Sequence, residues 1–402
     1  MKSILLLCFL FSSCSVMYKK LGGDFSHKPD EINQVLSQDA QKLIKESFTN
    51  IDLKKIEDLH MHVAGLGKGN TGLWVNPNMR KWWKHLGKYN RFNVYLSASG
   101  VQDIDKADQE YVTRLVSLHK NLPFVFKSHI FGFDYHYKKD GTIDYHHSEF
   151  YVPNDYIVEL SKKNPEYFVP VVSVHPYKKG AIEELEKYAE MGVRHVKWLP
   201  NAMGMDPSDQ SLERYYKTLI ANNMTLITHT GEEKAVEGEA FQELANPLKL
   251  RYPLDLGVKI IMAHMSSRGQ CKDYDHQNVK VECFDLFWRL FKEKKYEKNL
   301  FSEMSGLLIH ARIGRPLNKL IEHPEVHHRI GYGSDYPLVA INFIYRTSQL
   351  YELGYLTEGE KEALNEIYGV NPLLFHYVML RTVRHPKTKE KLTSEAFHSP
   401  FL

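Results

Sequence analysis

The chain has 402 residues, 43% hydrophobic and 25% charged, with 52 basic against 49 acidic side chains. That is ordinary globular composition, enough for one large domain with additions or two modest ones. A formal net charge of +3 removes any electrostatic argument for nucleic acid or an anionic surface as partner, and composition carries no signature of oligomeric state.

Residues 1–14, "MKSILLLCFLFSSC", read as an export signal. Lys2 is the positive start, Ile4 to Phe11 the apolar stretch and Ser12-Ser13-Cys14 a small-residue processing site. The apolar run is too short for a stable bilayer span. A cysteine directly after small residues resembles the bacterial lipoprotein box, in which Cys14 receives the lipid; Phe11 stands where an aliphatic residue is usual, and ordinary signal cleavage is the alternative. Either way the protein is expected in the periplasm or cell envelope, in the lipidated form held to the membrane through Cys14. Cys8 leaves with the signal, whereas Cys271 and Cys283 remain and can pair in an oxidising compartment.

Residues 15–51 read as a tether and one surface helix, with Ile32, Val35, Leu36, Leu43 and Ile44 in helical rhythm. From there to 375 the pattern changes. Eight β-rich runs, 56–63, 123–131, 167–174, 193–199, 224–230, 258–264, 299–305 and 329–335, alternate with amphipathic helical segments such as "AIEELEKYAEMG" and "SLERYYKTLIANN". Alternation of this kind means a parallel sheet with crossover helices, and eight units suit an α/β fold of the closed (β/α)8 TIM-barrel type. Residues 64–120, rich in Gly, Trp and Asn, are too long for a plain crossover and form an insert after strand 1, in which "NRFNVYLSASG" reads as a further strand candidate. Residues 133–155 read as a loop above the strand ends, and 376–402 as a C-terminal extension.

The chemistry sits at the ends of the runs. His60 and His62 lie two apart in "IEDLHMHVAG"; on a strand such residues share a face, and paired neutral imidazoles suit a divalent metal. Lys197, His229, His264 and Asp335 end the fourth, fifth, sixth and eighth runs. In a barrel all strand C-termini open on one face, so the six residues converge. The donor set fits Zn²⁺, with Mn²⁺, Fe²⁺ or Co²⁺ open, as one ion or two. Such an ion lowers the pKa of water toward ~7, and Asp335 is placed to take its proton and return it to the leaving group. His264 is a further ligand or a stabiliser of the developing oxyanion. An ammonium cannot ligate, so Lys197 is a CO₂-modified carbamate bridging two metals, a cation that polarises substrate, or a salt-bridged rim residue. Candidate substrate contacts are His175, Tyr177, Trp198 and Asn201 on the catalytic face, and Arg251 and Arg312, whose guanidinium groups match a carboxylate or phosphate. Glu232 and Glu233 are candidates for orienting His229. Trp74, Trp82 and Trp83 either cap the pocket or pack the insert onto the barrel.

"DLHMH", "VKWLP", "LITHTGEE", "IIMAHMSS" and "GYGSDYP" resemble, in that order, the motifs of the amidohydrolase superfamily over roughly residues 52–375, with the ending of its amidohydrolase-related (amidohydrolase 2-like) branch. The resemblance implies a first metal on His60, His62 and Asp335, a metal role for His229, and a second-site or substrate role for His264. Its binuclear members, phosphotriesterases among them, carbamylate a lysine that Lys197 matches; its decarboxylase-like members hold one metal and leave that lysine out. The implied activity is hydrolysis of a small molecule at an amide, lactone or other ester, with a phosphoester also possible chemically; the alternative is mononuclear decarboxylation.

Overall fold

In the computed structural model, which describes residues 17–402 apart from 24 and 237, the eight runs become eight parallel strands. They are β1 (Glu57–His62), β2 (Lys127–Phe131), β3 (Phe168–Val171), β4 (His195–Trp198), β5 (Thr225–Thr228), β6 (Lys259–Met262), β7 (Leu300–Glu303) and β8 (Ile330–Gly331). Strands β1 to β3 form one continuous ladder and β4 to β8 another. Parallel bridges Val172–Val196 and Met61–Tyr336 join the two, with Lys197 N donating to Val172 O at 2.8 Å and His62 N to Tyr336 O at 2.9 Å. The sheet therefore closes on itself, and the fold is the (β/α)8 barrel. The signal segment, with Cys8 and Cys14, lies outside the described residues. No helix among the described residues is long and apolar enough to cross a membrane.

Period-two alternation sorts each strand between barrel interior and helix layer. Phe131, Val171, Ile227 and Ile261 fill the interior, while Ile130, Val196, Leu226 and Ile260 join the larger core under the helices. A register shift between Asp58 and Met61 adds a residue to β1. Leu59 consequently belongs to the interior cluster while the adjacent His60 also faces inward, its ring edge on Phe131 at 4.8 Å between centroids.

Three expectations are revised. "NRFNVYLSASG" is not a strand; all but its last two residues lie in helix α2 (Leu86–Ala98) of the insert. The helix near the N-terminus, α1 (Gln38–Ser47), is capped by the Ser37 hydroxyl and buries Ala40, Leu43 and Ile44, against the C-terminal helices at 358–370 and 372–382. The boundary drawn at 375 falls inside the second of those, Pro372–Thr382, and the tail beyond it is part of the barrel. Ser399 N donates to Lys55 O, and Phe401 meets Phe301 at 5.1 Å between ring centroids, closing the bottom of the interior. Cys271 and Cys283 do pair, fastening the hairpin of strands Gln270–Asp273 and Val279–Glu282 to the start of helix Cys283–Phe291.

One histidine far from the strand ends makes stability pH-dependent. His119, buried on the helix Ala107–Lys120, donates from Nδ1 to Leu115 O at 2.8 Å and contacts Ser128 Oγ through Nε2 at 2.7 Å. Burial lowers its pKa from 6.5 to about 4. The unfolded chain takes up this proton near pH 6.5 and the folded chain does not. Stability present above that pH is lost as it falls toward about 4, by up to about 3 kcal/mol. Urea unfolding at neutral and acid pH is expected to show a smaller acid loss in His119→Gln than in the parent; equal losses would refute it.

Candidate metal centre

Local geometry brings the strand-end residues together. His60 and His62 project from β1 with Nε2 atoms 3.3 Å apart. Asp335 Oδ1 lies 3.6 Å from His60 Nε2 and 3.4 Å from His62 Nε2. Two ligands ~2.0–2.1 Å from a tetrahedral ion stand roughly 3.3–3.4 Å apart. The three atoms thus form the face of a tetrahedron sized for a first-row divalent ion. Asp335 reaches this place from a left-handed backbone, φ 59°, and its N–H donates to His60 O at 2.7 Å. Non-glycine residues rarely adopt that conformation, and functional sites are where it is tolerated. Burial raises the Asp335 carboxyl pKa, against the pull of His62 and Arg312.

The residue that organises the cluster is one the sequence reading passed over. Glu303, the last residue of β7, is fully buried. Its Oε1 accepts from His60 Nδ1 at 3.0 Å and from His264 N at 2.9 Å, and its Oε2 accepts from Ser305 N. A proton on His60 Nδ1 leaves the Nε2 lone pair facing Asp335 and His62, the usual arrangement behind a ligating imidazole. Gly333 makes room for it: a Cβ there would stand 2.3 Å from Glu303 Oε2 and 3.0 Å from His60 Cβ. The available signal was a lone carboxylate at the strand-end position of the seventh run. His60, His264 and Glu303 also form a compact group, but Glu303 Oε1 is already occupied by two N–H donors. That group is scaffolding for the first site rather than a second one.

His264 opens three consecutive left-handed residues, His264, Met265 and Ser266, at φ 58°, 51° and 49°. Its Nδ1 lies 3.0 Å from Ser305 O and 2.7 Å from Ser305 Oγ, which fix the orientation of the ring. Burial holds His264 well below its ordinary pKa. The His229 ring stands 5.1 Å from that of His264 between centroids, and both its nitrogens are buried without a hydrogen-bond partner. Burial lowers its pKa to about 4, and Glu233 Oε2 lies 3.4 Å from its Nδ1. Glu232 instead pairs with Arg268 and Lys234.

Lys197 is not a rim salt bridge. It is fully buried, and its Nζ lies 3.2 Å from His60 Nε2 and 4.6 Å from the centre of the Phe131 ring. Burial lowers its pKa to about 8, opposed by the charges of Glu303, Asp335 and Glu233. Arg312 also belongs to the site. It lines the cavity above the cluster, its Nε has no hydrogen-bond partner, and its Nη1 lies 3.5 Å from Ser267 Oγ.

The remaining candidates lie elsewhere. Trp198 follows Lys197 on β4, so alternation turns it outward, where its Nε1 donates to Val174 O at 3.1 Å. His175 is locked beneath a loop, bonded to Met203 O at 2.9 Å and to Tyr177 N. Tyr177 donates to Asp209 at 3.0 Å, and Asn201 to Gln242 at 3.1 Å. Arg251 makes a two-pronged pair with Asp275, 2.6 Å on each arm. Trp82 and Trp83 are exposed, and Trp74 packs on Tyr135 and Tyr145, so the tryptophans do not cap the pocket.

No family model and no curated protein matches the chain. Among solved structures it is similar to an uncharacterised TIM-barrel protein from Bordetella bronchiseptica, at 14% identity over 78% of this chain and 95% of that one, TM-score 0.46. It is also similar to an Acinetobacter baumannii "probable 2-pyrone-4,6-dicarboxylic acid hydrolase", at 12% identity over 80% and 97%, TM-score 0.43. A third is the 5-carboxyvanillate decarboxylase of Sphingomonas paucimobilis, at 12% over 81% and 96%, TM-score 0.41. These values carry no functional argument; the barrel rests on the closed strand order described above.

Proposed function

We propose that the chain is a metal-dependent hydrolase of the amidohydrolase kind, acting outside the cytoplasm on an amide, lactone or other ester of a small molecule. The observation that carries this reading is the triangle of His60 Nε2, His62 Nε2 and Asp335 Oδ1, with sides of 3.3, 3.4 and 3.6 Å, at the C-terminal mouth of the barrel. His60, His62 and Asp335 would hold one divalent ion, with zinc the first choice for a nitrogen-rich tetrahedral set and manganese the second. Bound there, the ion supplies Lewis acidity and a more acidic water. Asp335, by its second oxygen, accepts the proton of the attacking water and returns it to the leaving group. His264 serves as a ligand or, with Lys197 and Arg312, stabilises the developing oxyanion. The disulfide Cys271–Cys283 supports an oxidising compartment, and lipidation at Cys14 belongs to the same proposal.

The test is turnover of a panel of amides, lactones, esters and phosphoesters by protein stripped with chelator and reloaded with Zn²⁺ or Mn²⁺, beside Lys197→Met. Hydrolysis is expected only after reloading, with the variant lower by about 10²-fold in kcat. Intact-mass measurement tells a carbamate on Lys197 from a free amine. Turnover that survives metal removal would overturn the reading. A second reading, decarboxylation at the same ion, draws on Arg312, a cavity-facing cation suited to a substrate carboxylate; CO₂ release without hydrolysis would select it.

A further inference from the structure

Above the metal cluster lies a chamber of about 730 Å³, within the ~300–1,000 Å³ of sites that enclose a drug-sized ligand. His60, His62, His229, His264, Asp335 and Arg312 form one end of it. Apolar residues, Val63, Val75, Met79, Val94, Phe133 and Phe150 among them, make up much of the rest of its wall. Much of that wall comes from the insert after β1, with Val94 on α2, the segment that the alternation of strand and helix does not require. Several polar side chains in the wall are already bonded to protein. Tyr95 Oη donates to Ala235 O at 2.7 Å, Tyr111 Oη to His62 O at 2.7 Å, and Asn90 accepts from Tyr18 at 2.7 Å. Arg91 is paired with Glu149 at 2.7 Å. With these groups paired, most of the surface that the chamber offers a ligand is apolar.

We propose that this chamber takes the apolar body of the substrate, a medium-length acyl or alkyl chain, with the scissile carbonyl held at the metal end. The inference rests on the hydrolase reading for what happens at that end, but the chamber's preference is separable from it. Transfer of one methylene from water into an apolar wall strengthens binding about four-fold. A site that holds the chain should show that increment along a homologous series until the chamber is full; a site that grips only the head group should not.

The experiment is calorimetric titration of straight-chain alkanoates, butanoate through decanoate, into the protein with and without Zn²⁺. The parent, Val94→Trp and Val75→Trp are compared; Val75 is a half-buried wall residue whose replacement does not disturb the buried core if Val94→Trp misfolds. Single-site affinity is expected to rise about four-fold per methylene in both metal states. Each folded tryptophan variant should plateau at a shorter chain while binding butanoate as the parent does. A zinc-dependent offset common to the whole series reports on the hydrolase reading; its absence would count against the ion site and leave the slope as evidence for the chamber. Affinity independent of chain length, or a slope unchanged in the variants, would overturn the inference.

Discussion

Asp335→Asn is expected to lower kcat/KM by about 10³-fold while the protein folds and unfolds as the parent does. The substitution keeps the shape of the side chain, and the backbone bond from residue 335 N–H to His60 O is unaffected. It removes an anionic ligand 3.4 and 3.6 Å from the two histidine nitrogens and the group proposed to receive the proton. Two losses coincide, so two measurements are needed. Elemental analysis of the purified variant reads metal retention, and steady-state rates at saturating added metal read the proton role. A variant that keeps its metal and still loses the rate isolates the proton role. One whose rate recovers fully with excess metal shows that Asp335 is a ligand only. Rates near the parent's without added metal would remove Asp335 from the mechanism.

Glu303→Gln should weaken metal binding by about 10–100-fold and destabilise the fold by about 1–3 kcal/mol. The parent carboxylate accepts from His60 Nδ1, His264 N and Ser305 N, all buried. An amide in its place presents two N–H donors among three others, so at least one donor faces another and goes unpaired. Only one end of the amide accepts: with its nitrogen toward His60, the Nδ1 proton loses its acceptor and the Nε2 lone pair is no longer held toward the ion, and with its oxygen there Ser305 N is left unpaired. Competition with a chelator of known affinity measures the first effect, and urea unfolding of the stripped protein the second. Destabilisation without a change in metal affinity would make Glu303 a structural acid and refute its part in orienting His60. The two variants differ in kind: Asp335→Asn acts at the ion, Glu303→Gln through the imidazole beside it.

Sequence alone determined the alternation and the strand ends, because both depend on local rules. A parallel strand followed by an amphipathic helix leaves a pattern within a short window. Alternation of faces along β1 puts His60 and His62 on the same side, and a barrel directs strand C-termini to a common mouth, so His229, His264 and Asp335 were within reach of the same logic. Three-dimensional packing decided the rest. Glu303 is anonymous in its run until β7 lies against β6 and β8, where it meets His60 from a position 243 residues away. Arg251 and Arg312 are alike as letters; Asp275 claims one, and the other is left beside the cavity. Trp198 was misplaced because one step along β4 from Lys197 reverses the face. The insert's wall and the tail's plug at the barrel floor arise from contacts between segments remote in the chain. Which donors end up paired, and which cavity stays open, are properties of packed neighbours, and no window of sequence contains both partners.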